Sequence, residues 1–173
     1  KISGILNGTT NYILTTMETQ NKSFDEVLDD AKQKGFTSDN ESKLDIGGYD
    51  AAHKLTLLST IAFGGNIDFN LNQIEGIEKI TIEDINFVKH LGFRIKLISE
   101  CFLIDNMIHS STKPKLIPLD KPLANVNGAL NAINVETDQL ENLYLEGEGA
   151  GGLATASSIL SDIFEISNNS NFT

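Results

Sequence analysis

The sequence is poor in cysteine and in basic residues. Its single cysteine, Cys101, excludes an intrachain disulfide and fits a reduced, cytoplasmic compartment. Cys101 lies in an apolar run, which favours a buried, inert thiol over a nucleophile. Only 13 lysines and arginines stand against 24 aspartates and glutamates, which gives a formal net charge of −11. Because such a chain repels phosphate backbones, nucleic acid is not an expected partner.

Long apolar runs and metal-ligand patterns are also missing. No run is long enough to cross a membrane, and the first residues show no signal-peptide pattern. His53, His90 and His109 lack the mutual spacing of a metal site. The sequence therefore predicts neither a membrane segment nor a bound metal. Since it starts at Lys1 without an initiator methionine, we expect it to be part of a longer protein.

Helix signals dominate the first half of the chain. Residues 7–10, Asn-Gly-Thr-Thr, predict a turn into a helix that Thr9 or Thr10 caps. Ser23 and Glu26 form a capping box for a second helix, which should run to Lys34 and stop at Gly35.

Residues 36–43 are polar and predict a loop. An apolar helix is expected over 47–63, with Gly64-Gly65 as its end, and its inward face should include Ala51, Ala52, Leu55, Leu58 and Ala62. Thr81 starts another helix that stops near Gly92.

Strand-forming residues dominate the second half. Residues 94–104 and 107–117 predict a hairpin with Asp105-Asn106 as its turn, and shorter strands are expected over 129–135 and 143–145. A closing helix is expected over 153–166. This order predicts an α+β fold, a mostly antiparallel or mixed β-sheet with helices packed on one face. The length and the 40% hydrophobic content suffice for one domain with a core.

Asp50 and Lys54 lie four residues apart on the apolar helix, and Asp45 precedes them by five residues. Spacing alone favours a solvated ion pair. The apolar character of the helix and the nearby acidic residues Asp39 and Glu41 keep a second interpretation open. In that interpretation a carboxylate and an ammonium bind and polarise a small hydroxy- or keto-acid.

A glycine-rich turn over 147–152 matches the G-x-G-x-x-G pattern that lets a backbone approach a pyrophosphate. Too few residues follow for a complete βαβ unit. The turn is therefore either a tight strand-to-helix connection or a contact to a cofactor that another domain mainly holds. Residues 7–10 likewise suit an anion at a helix N-terminus, although ordinary capping is the favoured interpretation when they are taken alone.

Together these segments resemble the homoserine dehydrogenase family over nearly the whole chain. The matching stretches are Gly-Ile-Leu-Asn-Gly-Thr-Thr-Asn-Tyr-Ile-Leu at 4–14, Asp-Ile-Gly-Gly-Tyr-Asp-Ala-Ala-His-Lys-Leu at 45–55, Gly-Phe-Arg-Ile-Lys-Leu at 92–97, Pro-Leu-Ala-Asn-Val at 122–126, and 147–156. The resemblance implies interconversion of L-homoserine and L-aspartate 4-semialdehyde with NAD(P), in threonine and methionine biosynthesis.

The resemblance also implies roles for individual residues. Lys54 corresponds to the catalytic lysine, the proton donor when the aldehyde is reduced, and Asp50 to the carboxylate that holds the substrate. Further substrate-binding candidates are Thr9, Thr10, Asp39 and Asp45, and the cofactor-binding candidates are Asn7, Gly8, Gly35 and Gly151.

The acidic loop departs from the family pattern Gly-Tyr-Ala-Glu-Ala-Asp-Pro, whose glutamate binds the substrate amino group. This sequence is one residue longer there, so counting from Gly35 places Ser38 at the glutamate position, and counting back from Asp50 places Asp39 there. We favour Asp39 because a carboxylate should oppose the ammonium, and Glu41 stays open.

By the same resemblance, residues 1–150 form the catalytic, substrate-binding and dimerisation domain. Residues 151–173 form a helix that packs on an N-terminal nucleotide-binding (Rossmann) domain outside this sequence. A homodimer is the implied assembly, and this part alone should be inactive and bind NAD(P) weakly. Two alternatives are a non-catalytic dimerisation or small-molecule-binding module, and a related NAD(P) dehydrogenase with another substrate.

Overall fold

The computed structural model describes residues 1–64, 67–105, 107–139 and 141–168. Its α-helices are α1 (Gly8–Gln20), α2 (Phe24–Gln33), α3 (Ser42–Ile46), α4 (Tyr49–Phe63), α5 (Ile82–His90) and α6 (Gly152–Asn168). Its strands are β1 (Ile2–Ile5), β2 (Asn72–Ile74), β3 (Phe93–Ile104), β4 (Met107–Pro118), β5 (Leu130–Thr137) and β6 (Glu141–Glu148). Short 3₁₀ turns lie at Phe69–Leu71 and Pro122–Asn125.

The strands form one sheet in the order β2-β4-β3-β1-β5-β6. β2 runs parallel to β4, and every other neighbouring pair is antiparallel. The sheet is therefore mixed, and the predicted α+β fold is confirmed. The predicted hairpin is confirmed as β3 and β4, with Asp105 in the left-handed region at φ 51°. Asn106 lies outside the described residues.

Sequence analysis did not identify β1, the strand at the centre of the sheet. All four of its residues, Ile-Ser-Gly-Ile, are buried, so they show no alternation of polar and apolar positions. A Cβ atom on Gly4 would lie 2.3 Å from the carbonyl oxygen of Ala132, so glycine permits the close pairing with β5. Four fully buried residues carry too little pattern to predict a strand.

The main core joins helices α1 to α5 to one face of the sheet. Its buried members include Ile13 and Met17 of α1, Leu55 of α4, and Leu97 of β3. A second, smaller core lies on the opposite face, where Val126 packs on Ile5, Ile98 and Ala132. Cys101 is fully buried, and burial raises the pKa of its thiol, which fits an inert side chain.

Several predicted helix boundaries need correction. Asn7, rather than Thr9 or Thr10, caps α1, because its side chain accepts a hydrogen bond from the Thr10 backbone N–H. The predicted loop over 36–43 ends two residues early, since α3 begins at Ser42. Ala62 is exposed rather than inward-facing, and the inward positions of the second half of α4 are held by Leu58, Ser59 and Phe63. The capping box of Ser23 and Glu26 is confirmed.

Helix α6 carries no buried residue along its described length. Its large apolar side chains are mostly solvent-exposed: Leu153, Ile159, Leu160, Ile163, Phe164 and Ile166. An apolar surface of this kind is typical of a contact site for another protein segment.

Candidate active site

Most of the sequence-predicted residues converge on one cleft of about 600 Å³. It lies between the N-terminal ends of α1 and α4, the loop after α2, the start of β5, and the turn before α6. Of the predicted residues, it is lined by Asn7, Gly8, Thr9, Gly35, Asp45, Asp50, Lys54 and Gly151. The structure thus brings together segments more than 100 residues apart in the sequence.

Asn7 joins two carboxylates in this cleft. Its side-chain nitrogen Nδ2 lies 2.7 Å from Oδ1 of Asp45 and 2.8 Å from Oδ2 of Asp50. The second oxygen of Asp45 accepts a hydrogen bond of 2.8 Å from the Thr37 hydroxyl. These contacts fix both carboxylates beside the first turn of α1.

Lys54 completes the cluster from the next turn of α4. Its ammonium donates to Oδ2 of Asp50 at 2.7 Å and to the carbonyl oxygen of Leu6 at 3.3 Å. Its side chain is 47% exposed, so it opens to the cleft. An ammonium has three N–H donors, so one remains for a ligand. Oδ1 of Asp50 has no hydrogen-bond donor among the described residues and can accept from the same ligand.

Local structure explains why Asp50 and Lys54 face the same ligand space. Gly48 adopts φ 83° immediately before α4, a conformation that glycine adopts without strain. Asp50 then falls in the first turn, where the helix dipole favours a carboxylate. Lys54 follows four residues later on the same face.

The two threonines have different surroundings. Thr9 lines the cleft, and its hydroxyl donates to the Phe36 carbonyl oxygen at 3.0 Å, which ties α1 to the loop after α2. Thr10 is fully buried and does not line the cleft, because its hydroxyl donates to the Asn7 carbonyl oxygen. Only Thr9 of the pair is therefore placed to contact a ligand.

The acidic loop does not bring Asp39 into the cleft. Its side chain is 87% exposed and pairs with Lys32 at 2.8 Å, and the hydrogen bond from Lys32 holds the pKa of Asp39 below its ordinary value. Glu41 lines the cleft, whereas Ser38 does not and donates its hydroxyl to Glu41. The carboxylate available in the cleft from this loop is that of Glu41.

Small residues form the opposite wall. A Cβ atom on Gly8 would lie 2.6 Å from the Ala129 carbonyl oxygen, and one on Gly149 would overlap the Asn131 side chain. Gly151 adopts φ 124°, which disfavours any other residue. Oδ1 of Asn131, on this wall, is buried without a hydrogen-bond partner among the described residues.

Three features of the cleft escaped sequence analysis. Asn7 was assigned to a cofactor, yet its amide contacts two carboxylates. Lys34 lines the cleft, where its ammonium donates to the Tyr12 hydroxyl and to Asp30. Asn131 reaches the cleft because β5 pairs with β1, and no local sequence pattern predicts that long-range pairing.

The described part of the chain contains neither a membrane-spanning helix nor a cluster of potential metal ligands. None of its helices combines the length and hydropathy needed to cross a bilayer. No group of three or more histidine, cysteine, aspartate or glutamate side chains there is arranged to hold a metal ion.

Comparison with known proteins identifies the relatives of this chain. The homoserine dehydrogenase family model matches residues 1–164. The homoserine dehydrogenase of Helicobacter pylori is 43% identical over 165 residues, which cover 94% of this chain and 38% of that protein.

Solved structures give the same relationship. A crystal structure of S. aureus homoserine dehydrogenase at pH 8.5 superposes with a TM-score of 0.91 at 36% identity, covering 99% of this chain and 43% of that one. A hyperthermophilic archaeal homoserine dehydrogenase mutant in complex with NADPH superposes with a TM-score of 0.76 at 28% identity, covering 99% of this chain and 49% of that one. The chain spans less than half the length of each of these relatives. Its match to the family model over residues 1–164 shows that it belongs to the homoserine dehydrogenase family.

Proposed function

We propose that this chain supplies the substrate-binding and proton-transfer groups of an NAD(P)-dependent enzyme that interconverts L-homoserine and L-aspartate 4-semialdehyde. The observation that carries the proposal is the meeting of Asp50 and Lys54 with Thr9 and Gly151 in one cleft. A purely solvated ion pair between Asp50 and Lys54 would not need Thr9 and Gly151 beside it in a cleft. The reaction would serve threonine and methionine biosynthesis.

Substrate recognition follows from the charges in the cleft. The ammonium of homoserine fits the free Oδ1 of Asp50, and Glu41 provides a second carboxylate from the acidic loop. Asp45 contributes negative charge behind them while its oxygens bind Asn7 and Thr37. Since Asp39 points away to Lys32, we assign amino-group recognition to Asp50 with Glu41 in place of Asp39.

Proton transfer is assigned to Lys54. Reduction of the aldehyde needs a proton at the developing alkoxide oxygen, and the donor must lie within hydrogen-bond reach of it. The remaining N–H of Lys54 points to the space that Asp50 shares, four residues earlier on the same helix face. In the oxidation direction, neutral Lys54 accepts the hydroxyl proton while Asp50 keeps the substrate oriented.

The wall of Gly8, Ala129 and the 149–151 turn fits the nicotinamide end of the cofactor. These residues project little or no side chain, so a flat ring can approach their backbone closely. When bound, NAD(P) exchanges a hydride with the substrate carbon. NADPH is present in the archaeal relative, and we extend cofactor use of this type to the present chain. Gly35 lies across the cleft from this wall, at the end of α2.

Two contacts complete the proposed assembly. The face of the sheet opposite α1–α5 carries an open depression of about 490 Å³ between Ile98, Ile117 and Tyr144, which suits a second copy of the chain in a homodimer. Helix α6, with its exposed apolar side chains, suits the nucleotide-binding domain.

The proposal is tested with Lys54→Met in the full-length enzyme. We expect kcat for homoserine oxidation to fall by roughly 10²- to 10⁴-fold, because a positioned acid–base group contributes about that much. Lys79→Met removes an exposed lysine outside the cleft and should retain wild-type turnover. Circular dichroism melts check that both variants fold.

Ordinary turnover by a folded Lys54→Met enzyme would contradict the assignment. Assaying other small hydroxy acids in parallel separates homoserine from the alternative of a related dehydrogenase. A wild-type enzyme that binds homoserine without oxidising it would favour the alternative of a non-catalytic binding module.

A further inference from the structure

We propose that Asn7 is a positioning residue of the active site, whose amide holds the carboxylates of Asp45 and Asp50 together. This inference rests on the proposed function, because the pair matters to catalysis only if Asp50 orients the substrate for Lys54. It replaces the sequence-based assignment of Asn7 to the cofactor.

The orientation of the Asn7 amide is determined by the helix that it caps. Its Oδ1 accepts the backbone N–H of Thr10 at 2.8 Å, so the other end of the amide, Nδ2, must face the cleft. A flipped amide would place Oδ1 against two carboxylates and leave the Thr10 N–H without an acceptor. Asn7 is 4% exposed, which holds the amide in this position.

Each hydrogen of Nδ2 then has one carboxylate partner, Asp45 at 2.7 Å and Asp50 at 2.8 Å. Two carboxylates on one nitrogen repel each other, and a shared donor offsets that repulsion. The compensation matters most at Asp45, because its partners are the neutral Asn7 and Thr37, and no cation pairs with it among the described residues.

The charged groups around Asn7 come from several elements. Asp45 belongs to α3, and Asp50 and Lys54 belong to α4. Lys34 after α2 and Glu41 before α3 lie further along the cleft. Of the two carboxylates, only that of Asp50 accepts a hydrogen bond from Lys54, so removal of the Asn7 donors leaves the repulsion between Asp45 and Asp50 unrelieved. Asp50 would then turn away from Asp45 or take up a proton, and either change moves the group that aligns substrate with Lys54.

Two substitutions in the full-length enzyme separate this role from helix capping. Aspartate and serine both cap helices about as well as asparagine, so Asn7→Asp and Asn7→Ser keep the start of α1. Asn7→Asp places a third acidic group against the pair, whereas Asn7→Ser removes the donors without adding charge. Asn86→Asp makes the same chemical change at an exposed amide on α5, outside the cleft, and serves as the matched control.

We expect kcat/KM for homoserine oxidation to fall about 100-fold in Asn7→Asp and about tenfold in Asn7→Ser, with Asn86→Asp unchanged. The acidic limb of the pH–rate profile should move to higher pH in Asn7→Asp. NADPH affinity, measured by its fluorescence, should stay within about threefold of wild type in Asn7→Ser. A crystal structure of Asn7→Ser should show the two carboxylates further apart.

Three results would overturn the inference: an unchanged rate and pH profile in Asn7→Asp, a loss of NADPH affinity that accounts for the whole loss of kcat/KM, or activity that falls only in proportion to the unfolded fraction. If the wild-type enzyme does not oxidise homoserine, the proposed function fails. The crystal structure of Asn7→Ser then still decides about Asn7, because unchanged carboxylate positions would exclude the positioning role.

Discussion

Lys96 on β3 is a lysine with 2% exposure, and it forms no salt bridge with a carboxylate among the described residues. Its ammonium donates to Oδ1 of Asn11 at 2.9 Å and to the Val126 carbonyl oxygen at 2.6 Å. Asn11 in turn donates to the carbonyl oxygens of Val126 and Leu130. Lys96 therefore links α1 to the segment that leads into the cleft wall. Burial lowers its pKa from 10.5 to about 8.

This lowered pKa predicts how stability changes in alkali. Between about pH 8 and pH 10.5 the unfolded chain keeps a proton on Lys96 that the folded chain has released. Stability rises with pH wherever the unfolded state binds more protons. The quantity to follow is the free energy of unfolding of wild type minus that of Lys96→Met. We expect this difference to increase by up to about 3 kcal/mol between about pH 8 and pH 10.5.

Urea unfolding at several pH values from 7 to 10.5 measures this difference. Lys79→Met, at an exposed lysine, provides the surface control for the loss of a lysine. A flat result for Lys96→Met would mean that the buried ammonium retains its proton through its three oxygen contacts.

Among the elements, helix α5 provides a second pH prediction. The carboxylate of Asp84 accepts the backbone N–H and the hydroxyl of Thr81, and these bonds hold the pKa of Asp84 below its ordinary value. A lowered carboxyl pKa stabilises the fold above the unfolded value, and that contribution disappears as pH falls through the folded value.

We therefore expect Asp84→Asn to destabilise the fold at neutral pH and to converge with wild type as the pH falls through the lowered folded-state pKa of Asp84. Thermal melts from pH 2.5 to 7 measure the convergence. Glu83→Gln changes a neighbouring carboxylate in the same turn of α5 and serves as the control substitution. A pH-independent gap between Asp84→Asn and wild type would refute the capping explanation.

The elements also show which parts of the fold the sequence could predict. The Ser23 capping box, the helix start at Thr81 and the β3–β4 hairpin rest on contacts between residues near each other in sequence, and all three were predicted. Strands β1 and β2 were missed because four and three residues carry no usable period, and only pairing with distant strands makes them extended.

The candidate site divides in the same way. Asp50 and Lys54 could be paired from their spacing on one helix. The orientation of Asp39 depends on an ion pair with Lys32 across the loop, and the bridging by Asn7 depends on where α3 and α4 meet α1. Such contacts are properties of tertiary packing, and one sequence does not specify them.

At the scale of the whole molecule, α6 is apolar and unburied in this chain. If the nucleotide-binding domain covers α6, a polar substitution on this helix should destabilise the full-length enzyme but not the 173-residue chain. Phe164→Ser should leave the melting temperature of the 173-residue chain unchanged and lower the free energy of unfolding of the full-length enzyme by about 1.5–3 kcal/mol.

Val27→Ala provides the control for Phe164→Ser. Val27 is fully buried in the main core, so its truncation should destabilise both the short chain and the full-length enzyme. Equal effects of Phe164→Ser in the two proteins would contradict packing of α6 on another domain.

The central position of β1 has a consequence for synthesis on the ribosome. Ile2–Ile5 pairs with Ala132–Val135, so β1 is synthesised well before β5, the strand that completes its hydrogen bonds on one side. At roughly 5–20 residues per second, that delay is on the order of ten seconds. During this time the nascent chain exposes an apolar strand without both of its neighbours, a state in which chaperones would bind it.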